Sequence, residues 1–498
     1  MRTTALVLLV SAVACLFLSS ARCGSAATAA AAEPAAGPAI APLAPLPTPQ
    51  QIAWQRGELT LFLHFGVNTF TDREWGLGNE DEKIFNPTRL DARQWVRAAK
   101  AGGFKTVILT AKHHDGFCLW PSKYTEHCVK NSPWRGGKGD VVRELADACH
   151  EEGLKLGLYL SPWDRHEKSY GDSPRYNQHY RNQLTELMSN YGPIAEVWFD
   201  GACGEGPNGK RQRYDWKSFI EVIRRLQPRA VIFSDAGPDI RWIGNEAGIA
   251  GDPCWAAVDP AVVPYPGSDG PGIHEMLQHG RPGGSVWRAG ESDVSIRPGW
   301  FWHAAENDKV RSVDNLVDLY FQSVGRNSLL LLNVPPNKEG RLCDGDVRRL
   351  AEFHARLGQI FATDLAAGRP ATASSVYAPG ETFAPARAVD ADADSYWAAA
   401  DAKAASWLEV DLGSPKSINV VRIEEPIALG QRVAAFRLEA LDAGQWKTVA
   451  QGSTIGHKRL LRFPTVTAQR VRLVIDMSLA APAISSFGLY YDSRLGNR

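Results

Sequence analysis

The sequence predicts a parallel (β/α)8 barrel followed by an all-β sandwich of the jelly-roll kind. Three observations carry this. From Leu59 onward short apolar runs alternate with amphipathic stretches, the pattern of buried parallel strands joined by helices. Eight such runs fall within roughly three hundred residues, which suits a closed barrel better than an open doubly wound sheet, and no glycine-rich nucleotide loop follows the first of them. After Phe361 the helical periodicity stops and β-rich runs separated by turn residues take over.

Taken in order, residues 1–26 hold one early Arg, an apolar run from Ala5 to Leu18 and small residues around Cys23 to Ala26. That run is short for a spanning helix, and its flank fits cleavage of an export signal, so the mature chain is expected to be secreted and extracellular, in the apoplast if the source is a plant. Residues 27–49 are rich in Ala and Pro and are expected to be a flexible lead-in. The barrel is expected over residues 50–362. Its strands are expected at Leu59–Phe65, Thr106–Ala111, Leu154–Leu160, Ala195–Phe199, Ala230–Phe233, Arg241–Gly244, Val286–Ala289 and Leu329–Leu332. Helical patterns lie between them at Asp91–Ala101, Asp140–Glu152, Pro174–Tyr191, Asp215–Gln227, Val313–Gly325 and Gly345–Phe361. The sandwich is expected over residues 363–493, its strands being SWLEVDLG, INVVRIEE, AFRLEAL, WKTVAQG, KRLLRF and QRVRLVID.

Composition narrows the function. Lys plus Arg equals Asp plus Glu at 55 each, so no global charge favours nucleic acid or an anionic membrane. Sixteen tryptophans are many, and an indole face suits sugar stacking as well as core packing. Six cysteines follow the signal region at spacings unlike a zinc module; Cys118 and Cys128 are the easiest pair by loop length, though connectivity is not readable from sequence.

The stretch IAEVWFDGA, Ile194 to Ala202, is the centre of the chain: an apolar strand that ends in Asp200, where a barrel collects its functional groups. Other strands end alike. LHFGVNTF gives His64; KHHDGF gives His113, His114 and Asp115; YLSPWD gives Tyr159, Trp163 and Asp164; WIGNEAG gives Asn245 and Glu246; WRAGESDVSIRPGWFWH gives Glu291. Two carboxylates on different strand ends, Asp200 and Glu246, can flank one bond, the minimum equipment of a glycosidase. Adjacent histidines at a strand end point to opposite sides, which argues against His113 and His114 sharing a metal. Trp75, Trp163, Trp198 and Trp300 are each open to a core or a platform reading.

HFGVNTF with EWG, TAKHHDGFCLWPS, GLYLSPWD, EVWFDGA, WIGNEAG and SIRPGWFWH together resemble glycoside hydrolase family 29, the α-L-fucosidases, over roughly Pro49 to Phe361. The resemblance implies a retaining mechanism without metal or organic cofactor. It places Asp200 as nucleophile and Glu246, in the motif of the branch that cleaves α-1,3- and α-1,4-linked fucose, as acid/base. It implies substrate contacts from His64, His113, His114, Tyr159 and Trp198, with Glu74 or Trp75 and Trp300 also at the pocket. The expected partner is a fucosylated oligosaccharide or glycoprotein glycan. The rival readings are a fucose-binding protein without catalysis and a barrel glycosidase for another sugar. SWLEVDLG, the Trp446 strand and QRVRLVI are similar to factor 5/8 type C (discoidin-like) domains, which implies either a sugar-binding role or a brace for the barrel.

Overall fold

Eight parallel strands close on themselves in chain order: β1 (Leu59–Leu63), β2 (Thr106–Lys112), β3 (Lys155–Leu160), β4 (Ile194–Trp198), β5 (Val231–Ser234), β6 (Ile240–Trp242), β7 (Ala289–Ser295) and β8 (Ser328–Asn333), which returns to β1. The computed structural model describes residues 39–402 and 405–495. The expected signal segment and most of the expected lead-in lie outside the described residues.

Strand alternation divides the apolar side chains into two cores. Leu59, Leu61 and Leu63 of β1, Val107 and Leu109 of β2 and Leu156 and Leu158 of β3 face outward against the helices. Phe62, Ile108, Tyr159, Trp198 and Phe233 face inward and fill the ring. The outer helices start where a short polar side chain takes an orphan backbone N–H. Asp91 caps α1 (Ala92–Ala101), Asp140 caps α2 (Val141–Glu152), Asp215 caps α4 (Trp216–Leu226) and Ser312 caps α5 (Val313–Gln322). The remaining long helices are α3 (Ser173–Asn190) and α6 (Asp344–Ile360).

Two connections depart from the alternation. Residues 235–239 join β5 to β6 without a helix. Residues 243–288, between β6 and β7, form an excursion that carries a two-stranded ribbon, Ala257–Val258 with Val286–Trp287, and a short helix, Ile273–His279. The expected seventh strand, Val286–Ala289, is therefore corrected: its first two residues belong to the ribbon and the barrel strand is Ala289–Ser295. That strand reads AGESDVS and escapes a search for apolar runs because its inward positions are polar. Glu291, expected at a strand end, is mid-strand and wholly buried.

The second domain is antiparallel. Its strands are β9 (Ala371–Ala373), β10 (Trp397–Ala398), β11 (Ser406–Glu424), β12 (Val433–Asp442), β13 (Gln445–Gly452), β14 (Arg459–Ser478), β15 (Ala483–Ile484) and β16 (Ser486–Tyr490). Runs expected as separate strands are continuous here: SWLEVDLG and INVVRIEE form β11, and KRLLRF and QRVRLVID form β14. The two pair along their length with register shifts between Asp411 and Lys416 and between Ile418 and Val420, irregularities that bend a strand. Residues 40–43 of the expected flexible lead-in lie against this domain. Ile40 is buried with Phe383, Ala398 and Ala483, and the Leu43 N–H donates to the Leu429 carbonyl at 2.9 Å. All six cysteines among the described residues are free, Cys118 and Cys128 among them.

Barrel and sandwich share one interior. Val420, Leu460 and Tyr490 of the sandwich belong to the outer core of the barrel. Asn327, at the foot of β8, is a junction: its side chain receives the Gln55 amide at 2.9 Å and the His457 N–H at 2.7 Å and donates to the Cys254 carbonyl at 3.1 Å. Nearby, Glu58 bonds Lys458, and Tyr320 donates to it at 2.6 Å. Burial opposes the Glu58 charge, but Lys458 and then His457 outweigh it and hold its carboxyl well below the usual glutamate range.

A folded-state pKa below the unfolded one means that the unfolded chain takes up the proton first as pH falls. The pair's contribution is therefore whole above the unfolded value and is lost in acid. Glu58→Gln should cost about 2–4 kcal/mol at pH 7, since it leaves Lys458 buried with a weaker partner. Thermal unfolding of the two proteins, followed from pH 7 to pH 3, should show that difference hold down to about pH 4.5, the ordinary glutamate value, and narrow below it; a constant difference would separate Glu58 from the interface electrostatics.

Candidate active site

At the C-terminal mouth of the barrel a cavity of about 150 Å3 is lined by Phe62, His64, Glu74, Trp75, His113, His114, Tyr159, Trp198, Asp200, Ala202, Glu246, Asp293 and Trp300. A void of this size accepts one six-membered ring. A larger cavity, about 740 Å3, opens at the opposite end beside the strand starts Thr106, Lys155, Ile194 and Val231. Barrel chemistry is built from loops that follow the strands, so the smaller cavity is the candidate site.

Asp200 leaves the end of β4 with both oxygens engaged. The Tyr159 hydroxyl of β3 donates to Oδ2 at 3.0 Å, and the Ala202 N–H donates to Oδ1 at 2.7 Å. Burial, then the Asp200 charge, push the Tyr159 phenol well above its ordinary range, so it stays a proton donor. Glu246 comes from the loop after β6. Asn245 folds that loop by accepting the Ala247 N–H at 3.0 Å and donating to the Ile249 carbonyl at 2.8 Å and Gln278 Oε1 at 3.0 Å. Glu246 Oε2 receives the Trp300 indole N–H at 3.1 Å, which leaves Oε1 unencumbered by that contact.

Trp300 is itself held from across the mouth. Glu74 accepts the backbone N–H of Trp300 at 2.9 Å and of Phe301 at 3.2 Å, and the Trp300 carbonyl receives the Asn333 amide at 2.8 Å. His303 closes the clamp between Glu74, at 2.6 Å, and Asp72, at 2.8 Å. Partial burial works against a charged His303, but the hydrogen bonds to Glu74 and Asp72 outweigh it and raise its pKa.

Three histidines face the cavity in different roles. His64 Nδ1 lies 2.9 Å from Asn333 Oδ1, an acceptor, so Nδ1 carries the proton and Nε2 is left to accept. His114 Nδ1 lies 2.7 Å from the Ser161 hydroxyl, whose own proton goes to the Trp163 carbonyl at 2.7 Å; again Nε2 is the acceptor, 3.9 Å from Asp200. His113 Nδ1 instead faces the Asn68 amide at 3.4 Å, which leaves Nε2–H to donate. Burial is the main cause that drives all three down, His64 to about 3, so the set is neutral at neutral pH. The expectation that His113 and His114 point apart is corrected. Strand β2 has ended at Lys112, and the Gly116 N–H donates back to the His113 carbonyl in a turn, so alternation no longer applies and the rings sit 4.1 Å apart on one cavity.

Trp198 forms the floor, stacked on Phe233 at 4.0 Å and donating to Glu291 Oε1 at 2.8 Å. Burial and the facing Glu196 push Glu291 well above the carboxylate range, so it is protonated. Trp75 is an exposed lip, edge-on to His114 and Trp163. Every residue expected to contact substrate thus lines the one cavity. Asp164 does not: it is buried behind it, paired with Lys112 at 2.8 Å. Phe62, Ala202 and Asp293 line the cavity without having been singled out, and the polar alternation of GESDVS was the signal available for Asp293.

The family model for α-L-fucosidases matches residues 47–248 and 255–358. The chain belongs to the α-L-fucosidase family. Residues 370–485 match the F5/8 type C domain. Alpha-L-fucosidase 1 of Arabidopsis thaliana is 49% identical over 460 residues, 92% of this chain and 89% of that protein. Among solved structures, SpGH29 is 44% identical with a TM-score of 0.86, covering 91% of this chain and 99% of that one. A Ruminococcus gnavus GH29 fucosidase in complex with fucose is 36% identical with a TM-score of 0.84, covering 92% and 97%. The chain is therefore an α-L-fucosidase, and the cavity at the mouth of its barrel is of a size to hold a single sugar.

With carbon-13-labelled histidine, the resonances of His64 and His113 should stay fixed between pH 5 and pH 8, and His114 should titrate below the ordinary histidine value. His303 should titrate above the ordinary histidine value of about 6.5. Titration of any pocket histidine near that value would show that its burial is relieved in solution.

Proposed function

We propose that this protein is a retaining exo-α-L-fucosidase that removes terminal fucose from α-1,3- and α-1,4-linked, Lewis-type glycans after export from the cell, with Asp200 as nucleophile and Glu246 as acid/base. The observation that carries the reading is the pair of carboxylates on one single-sugar cavity, each oriented by a neutral donor: Asp200 by Tyr159 and Ala202, Glu246 by Trp300. The WIGNEAG motif around Glu246 supports the 1,3/1,4 preference, and the N-terminal apolar run supports export.

In the first step Asp200 attacks the anomeric carbon and the bond to the leaving oxygen breaks, while Glu246 gives that oxygen its proton. In the second, Glu246 takes a proton from water, the water oxygen attacks the same carbon, and the ester to Asp200 breaks to restore the carboxylate. Neutral His64 and His114 accept from sugar hydroxyls and His113 donates to one, so recognition adds no fixed charge beside the oxocarbenium-like transition state.

Asp200→Ala should fold and lose about 10³-fold or more in kcat, with partial recovery by azide, which occupies the vacated space and attacks from the same face. Near-native turnover in this variant would remove Asp200 from the mechanism.

Glu246→Ala should spare the first step on aryl fucosides, whose leaving groups need no proton, and slow a natural disaccharide by about 10²–10⁴-fold. Equal losses on both, or β-fucose as the first product, would sink its assignment.

A further inference from the structure

Strand β7 puts two carboxyl groups on the inner face of the barrel, one above the other. The lower, Glu291, is engaged by Trp198 and by Glu196 beneath the pocket floor. The upper, Asp293, lies beside Leu331 of β8 and is itself part of the cavity wall. It is only 4% exposed, and its Oδ1 receives the Trp242 indole N–H at 2.7 Å, a contact that does not engage Oδ2.

Asp293 is thus a third carboxyl on a void that already holds Asp200 and Glu246. Three anions around one ring-sized space repel strongly, and the most buried of them is the one to stay protonated. Burial, then the Glu246 charge, with Asp200 adding to it, push its carboxyl well above the usual range. The rest of the wall is rich in acceptors: two imidazole nitrogens and two carboxylates face a sugar whose hydroxyl oxygens also need donors. A neutral acid supplies one.

We propose that Asp293 is a further substrate-contacting residue of this pocket, present as the neutral acid and donating a hydrogen bond from Oδ2 to a hydroxyl of the bound fucose. This rests on Asp200 and Glu246 being the reacting pair. The side chain acts as an uncharged donor, so an amide can stand in for it and an alkyl group cannot.

The test is kcat/KM of Asp293→Asn and Asp293→Ala on 4-nitrophenyl α-L-fucoside and on an α-1,3- or α-1,4-fucosylated disaccharide. Asp293→Leu, of similar volume, replaces the Ala variant should that fail to fold. The Asn variant should lose about three- to fivefold, and the Ala or Leu variant about 50-fold or more, alike on both substrates, because a buried site built to bond a hydroxyl discriminates steeply when one partner is missing. An Ala or Leu variant within about threefold of the parent would show that Asp293 makes no such contact. An Asn variant as damaged as the Ala variant on both substrates would show that the side chain works ionised. An Asn variant that spared the aryl fucoside but lost the disaccharide would make Asp293 the proton donor and overturn the Glu246 assignment as well. The other two failures leave that assignment where the Glu246→Ala kinetics put it.

Discussion

The hydrogen bond between a tryptophan indole and a carboxyl group recurs through this barrel, and the site depends on it. Trp54 donates to Glu196, Trp198 to Glu291, Trp242 to Asp293 and Trp300 to Glu246. A closed ring of strands forces every second side chain inward, where a polar group must find its partner in the protein. A cation would satisfy a buried carboxylate but would add charge to a pocket that must tolerate a developing oxocarbenium ion. An indole satisfies one oxygen with a neutral N–H and fills volume with its ring. Part of the high tryptophan count is therefore electrostatic in purpose.

Much of the site was legible because barrels concentrate function at strand ends, and strand ends are visible as apolar runs that stop. Asp200 follows VWF, and His64 follows LFL, so both fall where the alternation predicts. What escaped reading is polar and inward. Strand β7 has Glu and Asp where the search expects Val or Leu, so a search for apolar runs passes over Asp293 and the true register of the strand, and only the polar alternation of GESDVS marks them. The two long sandwich strands were read as four because their turn-like residues, LGSPK in β11 and PTVTAQ in β14, form bulged bends and not chain reversals. The docking of residues 40–43 depends on one buried isoleucine and on backbone pairing, neither of which composition reports.

Rigidity at the mouth is assembled from distant pieces. The loop that bears Trp300 is fixed by Glu74 from the connection after β1 and by Asn333 at the end of β8, so the indole that bonds Glu246 is itself held from two other parts of the barrel. The Glu246 loop begins the long excursion between β6 and β7, and the sandwich holds its next turn: Thr454 accepts the Cys254 N–H at 2.9 Å, and Gln431 accepts the Ala256 N–H at 2.8 Å and donates to the Cys254 carbonyl at 3.0 Å. A further ion pair, Arg459 with Asp252 at 2.6 Å, lies four residues closer to the turn that Asn245 shapes than Ala256 does.

The Asn327 junction changes what the two family matches mean as units of inheritance. They divide the chain between residues 358 and 370, a seam at which a gene could be cut and respliced. The folded molecule has no seam there, since Asn327 is bonded at once to Gln55 ahead of β1, to the excursion beyond Glu246 and to the sandwich. A chimaera carrying a sandwich from a distant relative would have to match that three-way contact atom for atom. Exchanging the sandwich would therefore also disturb the footing of β8 and the excursion that begins at Glu246, both of which meet at Asn327.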